Sequence, residues 1–395
     1  MSKYWNKMEI LRQGKQFLRS QEEKKREDEK KNKKEEKKEL FISQERPAFF
    51  VNKDYYTVKS SSTYNYSEKE LEEISQFYCR NYRIGKSNNT IILYQKEIAA
   101  FLSTKSELVT IYDKNSLIGT IISIIVPLCI NIPELNNGIT VKQTERCDFY
   151  KGDKEKHLTF ACASFLILDS KYRGKGLGMA LIQESLQILY DNGGLGAFFI
   201  NTVSRCDNSI PLFSWYYPLN LAKLDSCNYT YPKEYKSYFN LPDKDERDVE
   251  RVIVKNSKEA YEFYFNYMKG KKFYFAPSYE YWLKWIESFP TFIVRSHSGI
   301  TGMYSFNSNN IRYPLFRCEI MTGILLTCIG EQPSTLKSSL ITAKKMFDIL
   351  TIYEIGDLTK IILRGVFAQN SHKSYINFFN TRLKLEAGDF YSPLF

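Results

Sequence analysis

Apolar residues at Leu71, Ile74, Phe77 and Tyr78 recur at three- and four-residue spacing behind Tyr66-Ser67, and predict a helix over Glu68 to Tyr82. Glu107 to Tyr112 and Leu117 to Ile125 read as a strand pair around the turn Asp113-Lys114-Asn115-Ser116. The run Ser116 to Ile132 is apolar, but it is short for a membrane span and rich in β-branched Ile. Two buried strands bent at Pro127 are expected there. A strand over Leu158 to Leu168, a glycine-rich turn, a helix over Met179 to Tyr190 and a strand over Ala197 to Val203 follow.

The second half repeats this plan loosely. Helices are predicted at Ser257 to Tyr267 and Ser278 to Glu287, and a hairpin joins Thr291–Arg295 to Gly302–Phe306 through Ser296-His297-Ser298-Gly299. A strand over Glu319 to Cys328, a helix over Ser334 to Asp348, a strand over Lys360 to Phe367 and a terminal strand near Arg382 to Phe390 complete it. Glu22 to Glu39 contains no apolar residue and cannot bury surface. Residues 1–45 are therefore expected to form a charged, disordered arm, residues 46–225 the first folded half and residues 226–395 the second. The boundary lies near Asp225 to Asp243.

Hydrophobic residues make up 43% and aromatics 15% of the 395 residues, which fits a folded body with a large core. The formal charge is +11. It suits anionic partners, although a lysine-rich background composition explains it equally well. Over Glu22 to Glu39 bases and acids nearly cancel, so the folded body carries most of the positive charge. The arm reads as a solvated tether or as a dock for an acidic surface such as the ribosome. Eight cysteines without a C-x-x-C pair and only three histidines point to reduced intracellular thiols and to no metal site. No signal peptide or transmembrane segment is expected, and the location expected is cytoplasmic. No basic stripe interleaved with aromatics suggests nucleic acid.

The chemistry concentrates at Arg173-Gly174-Lys175-Gly176-Leu177-Gly178. Glycines at alternate positions let backbone approach a ligand. The first amides of the helix that follows have no internal acceptor and favour an anion. Arg173 and Lys175 add charge suited to phosphate oxygens. A strand, a basic glycine turn and a helix together make a pyrophosphate cradle, although such a turn is often purely structural. Trp215 and Tyr216, taken singly, read as packing residues, and His157 as a solvated one.

Ser164 to Ile182, Thr202, Trp215-Tyr216-Tyr217-Pro218-Leu219-Asn220 with Lys223-Leu224, Asn81-Tyr82 and Tyr94 resemble segments of eukaryotic glycylpeptide N-tetradecanoyltransferase, the N-myristoyltransferase family. Tyr281 to Ile286, Thr291-Phe292-Ile293-Val294, Tyr304-Ser305-Phe306 and Lys384-Leu385 with Gly388-Asp389 continue the order. The resemblance implies an α/β (α+β) fold in which two GNAT-like acyl-CoA N-acyltransferase halves share a mixed, saddle-shaped β-sheet. It implies a monomeric acyltransferase that uses myristoyl-CoA as acyl donor and proteins with an N-terminal glycine as acceptors, with no metal. The backbone amides of Phe165 and Leu166 would form the oxyanion hole. Arg173, Gly174, Lys175, Gly176, Leu177, Gly178, Met179 and Ala180 would hold the CoA phosphates.

On the acceptor side, the resemblance puts Asn201 and Thr202 near the attacking amine and Tyr82, Tyr94 and Tyr216 along the peptide groove. It makes the C-terminal carboxylate, here Phe395, the base. Only Phe390 to Phe395 follow Asp389, a reach of at most ~20 Å, which leaves another carboxylate or a water relay as alternatives. Arg83-Ile84-Gly85-Lys86 replaces the family's acidic loop, and the cofactor-contacting aromatic motif is faint around Phe41 to Pro47. Two other functions remain open: a GNAT-type N-acetyltransferase using acetyl-CoA, and an inactive acyl-CoA-binding protein.

Overall fold

A 15-residue strand, Ser116–Ile130, continues unbroken through Pro127, where the sequence suggests two strands meeting at a bend. Proline cannot donate to a ladder, so it needs a place where no neighbour asks for its N–H. Pro127 has one: among the described residues, pairing on that side runs to Ile124 opposite Ser106 and resumes at Leu128 opposite Phe275. The gap between two partner strands lets one strand accommodate the proline without breaking.

The computed structural model describes residues 55–82, 90–92, 94–103, 106–131, 156–194, 196–201, 204, 208–229, 241–313, 318–360, 368–369, 374–379, 381, 383 and 385–394. The charged arm, the motif around Phe41 to Pro47, the Arg83 to Lys86 segment, Thr202, Phe395 and most of the expected 360–367 strand lie outside them. The first half contains β1 (Tyr56–Ser60), α1 (Glu68–Asn81), β2 (Thr90–Ile92), α2 (Gln95–Ser103), β3 (Ser106–Asp113), β4 (Ser116–Ile130), β5 (Lys156–Leu168), α3 (Leu177–Asp191), β6 (Gly196–Asn201), β7 (Ile210–Leu212), β8 (Ser214–Pro218) and α4 (Leu221–Ser226). The second contains β9 (Asp248–Arg251), α5 (Ser257–Met268), β10 (Phe273–Phe275), α6 (Tyr279–Ser288), β11 (Thr291–Ser296), β12 (Gly299–Tyr313), β13 (Cys318–Gly330), α7 (Ser334–Ala343), β14 (Ile349–Tyr353), β15 (Ala368–Gln369), β16 (Ser374–Phe379) and β17 (Phe390–Tyr391).

This is a mixed α/β architecture of two related halves. In the first, β3, β4 and β5 are an antiparallel meander, and α3 leads to β6, parallel to β5. In the second, β11, β12 and β13 are the meander, and α7 leads to β14, parallel to β13. The strands divide into two hydrogen-bonded sheets, ordered β1-β3-β4-β5-β6-β16-β7 and β15-β8-β14-β13-β12-β11-β9. Each borrows from the other half: β10, β16 and β17 join the first sheet, and β2 and β8 join the second. Phe198 of β6, Phe273 of β10, Phe378 of β16 and Phe390 of β17 meet with ring centroids 5.2–6.2 Å apart. Aromatic pairs of this kind add about 0.5–1.5 kcal/mol each beyond burial, so the exchange is cemented by one cluster.

Other differences have local causes. The helix from Ser334 ends at Ala343 rather than Asp348, because the Asp348 carboxylate is held by Asn220, Lys223 and the Met321 amide. That anchor starts β14, which the apolar continuation of the helix pattern hides. The terminal strand begins only at Phe390. The thiols are not all reduced: Cys227 and Cys318, with Cα atoms 6.2 Å apart, form a disulfide. The fold brings these two together from 91 residues apart, at a separation a disulfide accepts.

α1 is firmly anchored. Ser67 caps it in a reciprocal box with Glu70. Burial would raise the Glu70 carboxyl, but hydrogen bonds from Lys59, Tyr64 and Ser67 outweigh it and hold it down at about 2.

Candidate active site

Among the described residues β5 pairs with β6 only over Phe160–Cys162 opposite Gly196–Phe198. Past Cys162 the two strands part. In the same stretch the register with β4 slips: Ser164 faces Ile122 and Ile167 faces Thr120. Phe165 and Leu166 thus stand against the single residue Ile121 of β4, a β-bulge, and neither has a register partner in that strand. Phe165 has φ +52°, left-handed backbone that costs a bulky residue about 1–3 kcal/mol. Its ring is buried against Tyr78, Tyr82 and Phe101, and its carbonyl accepts a 2.8 Å hydrogen bond from the Tyr78 hydroxyl. A strained bulge beside a strand divergence presents backbone donors, the geometry needed to meet a developing oxyanion.

The glycine turn follows at once. The Asp169 amide donates to Ile118 O, and Asp169 Oδ1 caps the short 3-10 turn Ser170–Tyr172. Arg173 Nε donates to Leu168 O at 3.2 Å, which aims the guanidinium from its base. Gly174 and Gly176 have φ +84° and +80°, and no atom lies within 4 Å of where a Cβ would sit on either. These glycines are needed for their backbone conformation, and the space above them is open. None of the amides from Gly174 to Gly178 donates to a backbone acceptor, whereas those of Met179 and Ala180 both return to Gly176 O. The Lys175 ammonium lies 4.7 Å above the Tyr172 ring, whose hydroxyl donates to Asp113 at 2.7 Å. The exposed Arg173 and Lys175 thus flank a row of amide donors at the start of the 15-residue α3. The donor set fits a phosphate-bearing ligand.

The acceptor side is aromatic. Tyr82 caps the end of α1, and burial pushes its phenol up. Burial likewise raises the phenol of Tyr216, which lies in β8 opposite Thr351. Tyr353, at the end of β14, is raised first by burial and then by its neighbours Tyr216, Tyr82 and Cys162. Tyr353 therefore lies within electrostatic reach of Tyr82, Tyr216 and Cys162, the last β5 residue in register with β6 among the described residues. Tyr353 was invisible in the sequence, because β14 itself was hidden. Tyr94 donates its hydroxyl to Glu319 of β13 at 2.7 Å. Asn201 ends β6 in register with Tyr375. Leu394, the last described residue, is 1% exposed in the core cluster that also holds Phe165 and packs Ile200 and Tyr82.

Among the described residues, no group of three or more His, Cys, Asp or Glu side chains is placed to hold a metal ion, and no helix is long and apolar enough to cross a membrane. No family model matches the chain, and no curated protein matches it in sequence. Solved structures do match it. A structure of Saccharomyces cerevisiae N-myristoyltransferase with bound myristoyl-CoA superposes with a TM-score of 0.70 at 15% identity, covering 90% of this chain and 89% of that one. A second, also with myristoyl-CoA, gives 0.68 at 15% identity over 87% and 83%. A third, with myristoyl-CoA and inhibitors, gives 0.68 at 14% identity over 87% and 84%. The chain has the N-myristoyltransferase fold along nearly its whole length.

Proposed function

We propose that this chain transfers a myristoyl group from myristoyl-CoA to the N-terminal glycine amine of protein substrates. The observation that carries the proposal is the β5 bulge at Phe165–Leu166, immediately followed by a basic glycine turn whose amides lack backbone acceptors. A CoA thioester is the ligand that needs both features at this separation. Its phosphates would meet Gly174 to Gly178 with Arg173 and Lys175, and its thioester carbonyl the Phe165 and Leu166 amides. Likeness to structures that hold myristoyl-CoA supports that donor.

In the reaction the neutral glycine amine attacks the thioester carbon, and the carbonyl oxygen takes the negative charge against the backbone donors. The C–S bond then breaks, an amide bond forms, and CoA leaves as its thiol. One proton must leave the ammonium before attack and one after it. We assign acceptor positioning to Asn201, Thr202 and the groove tyrosines Tyr82, Tyr94 and Tyr216, and the first proton to the Phe395 carboxylate. Residues 46–225 would hold acyl-CoA and residues 226–395 the peptide. The substrate supplies the nucleophile, so no activated Ser or Cys is needed.

The test is a mass spectrum of a glycine-initiated peptide incubated with the protein and myristoyl-CoA, with acetyl-CoA in a parallel arm. The expected product is one myristoyl amide, absent when the first residue is alanine. Acetyl transfer alone would select the acetyltransferase reading, and tight acyl-CoA binding without product an inactive binding protein.

A further inference from the structure

We infer that Tyr78 is the positioning residue of the oxyanion site: its hydroxyl sets the Phe165–Leu166 peptide so that the Leu166 N–H meets the acyl carbonyl. This rests on the acyl-transfer reading above. Tyr78 is fully buried in α1, and its hydroxyl donates to Phe165 O at 2.8 Å. In a trans peptide the carbonyl and the following N–H point in opposite directions. Holding Phe165 O toward α1 therefore turns the Leu166 N–H to the other side of β5. The two sides are distinct. The Phe165 ring packs in the core cluster containing Ile74, Phe77 and Tyr78 of α1, whereas Leu166 packs in the cluster containing Leu177, Ala180 and Leu181 of α3. The N–H is thus presented on the side of the glycine turn.

The ladder with β4 leaves this peptide without register partners, and φ +52° is a conformation that phenylalanine abandons unless held. Tyr82 and Phe101, with centroids 6.3 and 5.5 Å from Phe165, hold its ring only. Tyr78 also holds the peptide. Burial pushes its phenol far above the usual range, so it stays a donor at every working pH. The contact links residues 87 positions apart.

The experiment compares Tyr78→Phe, which keeps the ring and removes the hydroxyl, with Tyr66→Phe as a control. Tyr66 is also buried, and its hydroxyl bonds Thr110 and Lys59 O on the outer strands. Deleting an oxyanion donor outright costs roughly 10²–10³ in kcat, and a displaced donor is expected to cost about tenfold. Tyr78→Phe should lose that in kcat with Kd for myristoyl-CoA and peptide KM nearly unchanged. The carbonyl stretch of bound ¹³C-thioester should shift back toward its value in free myristoyl-CoA. Tyr66→Phe should change neither reading, even at an equal loss of Tm. Unchanged kcat and stretch in Tyr78→Phe, or losses that merely follow Tm in both variants, would overturn the inference. If the wild type binds but does not turn over, the carbonyl stretch alone decides. Failure of the wild type to bind acyl-CoA would instead overturn the underlying reading, and this inference with it.

Discussion

Reversing both charges of the glycine turn, Arg173→Glu with Lys175→Glu, lowers myristoyl-CoA affinity by about a hundredfold or more while the fold persists. Hydrogen bonds to charged groups contribute about 1.5–3 kcal/mol each, so losing two removes at least ~3 kcal/mol, before repulsion is added. Each factor of ten in affinity is about 1.4 kcal/mol, which sets the expected size. Both residues are exposed, and among the described residues the only side-chain hydrogen bond either makes is that from Arg173 Nε to Leu168 O. Circular dichroism and Tm should therefore change little. Calorimetric titration reads the affinity directly, and an unchanged Kd would remove the cradle from the account. High salt should shrink the difference between variant and wild type, because screening weakens exposed charges most.

Gly176→Val is expected to weaken acyl-CoA binding by more than about tenfold while lowering Tm by a few degrees. Left-handed backbone costs an L-residue about 1–2 kcal/mol, and β-branching stiffens it further. Gly176 caps α3 at φ +80°, so relieving that cost rotates the amides of Leu177 and Gly178 away from the open space above. No steric clash confuses the result, since a Cβ there meets nothing within 4 Å. Gly176→Asn separates conformation from chemistry, because asparagine tolerates this region. It should keep affinity within about threefold of wild type, the margin expected when backbone geometry is retained. If valine lowered Tm but left affinity intact below the transition, the glycine would be purely structural.

How legible all this was depends on distance along the chain. The succession β5, glycine turn, α3 and β6 could be read because period-two and period-3.6 patterns, and glycines at alternate positions, are local signals. α1 ends within a residue of its expected boundary for the same reason. The oxyanion pair was reached only through resemblance. Nothing in Ser164-Phe165-Leu166-Ile167 announces a left-handed phenylalanine, a residue type that favours regular strands. Pro127 suggests a break between two strands, which its place between two partner strands makes unnecessary. The exchanged strands β2, β10 and β17 are two or three residues long, too short to carry periodicity. Tyr78 was visible as a buried helical position, but its hydroxyl finds its partner 87 residues away. Tyr353 escaped because β14 follows a helix whose apolar pattern runs on past its end.

A crystal structure of the protein soaked with myristoyl-CoA tests the central claim most directly. The account predicts the pyrophosphate seated on the amides of Gly174 to Gly178, and the thioester oxygen within ordinary hydrogen-bond reach of Leu166 N. A ligand bound elsewhere, or a thioester turned away from the β5 bulge, would contradict it.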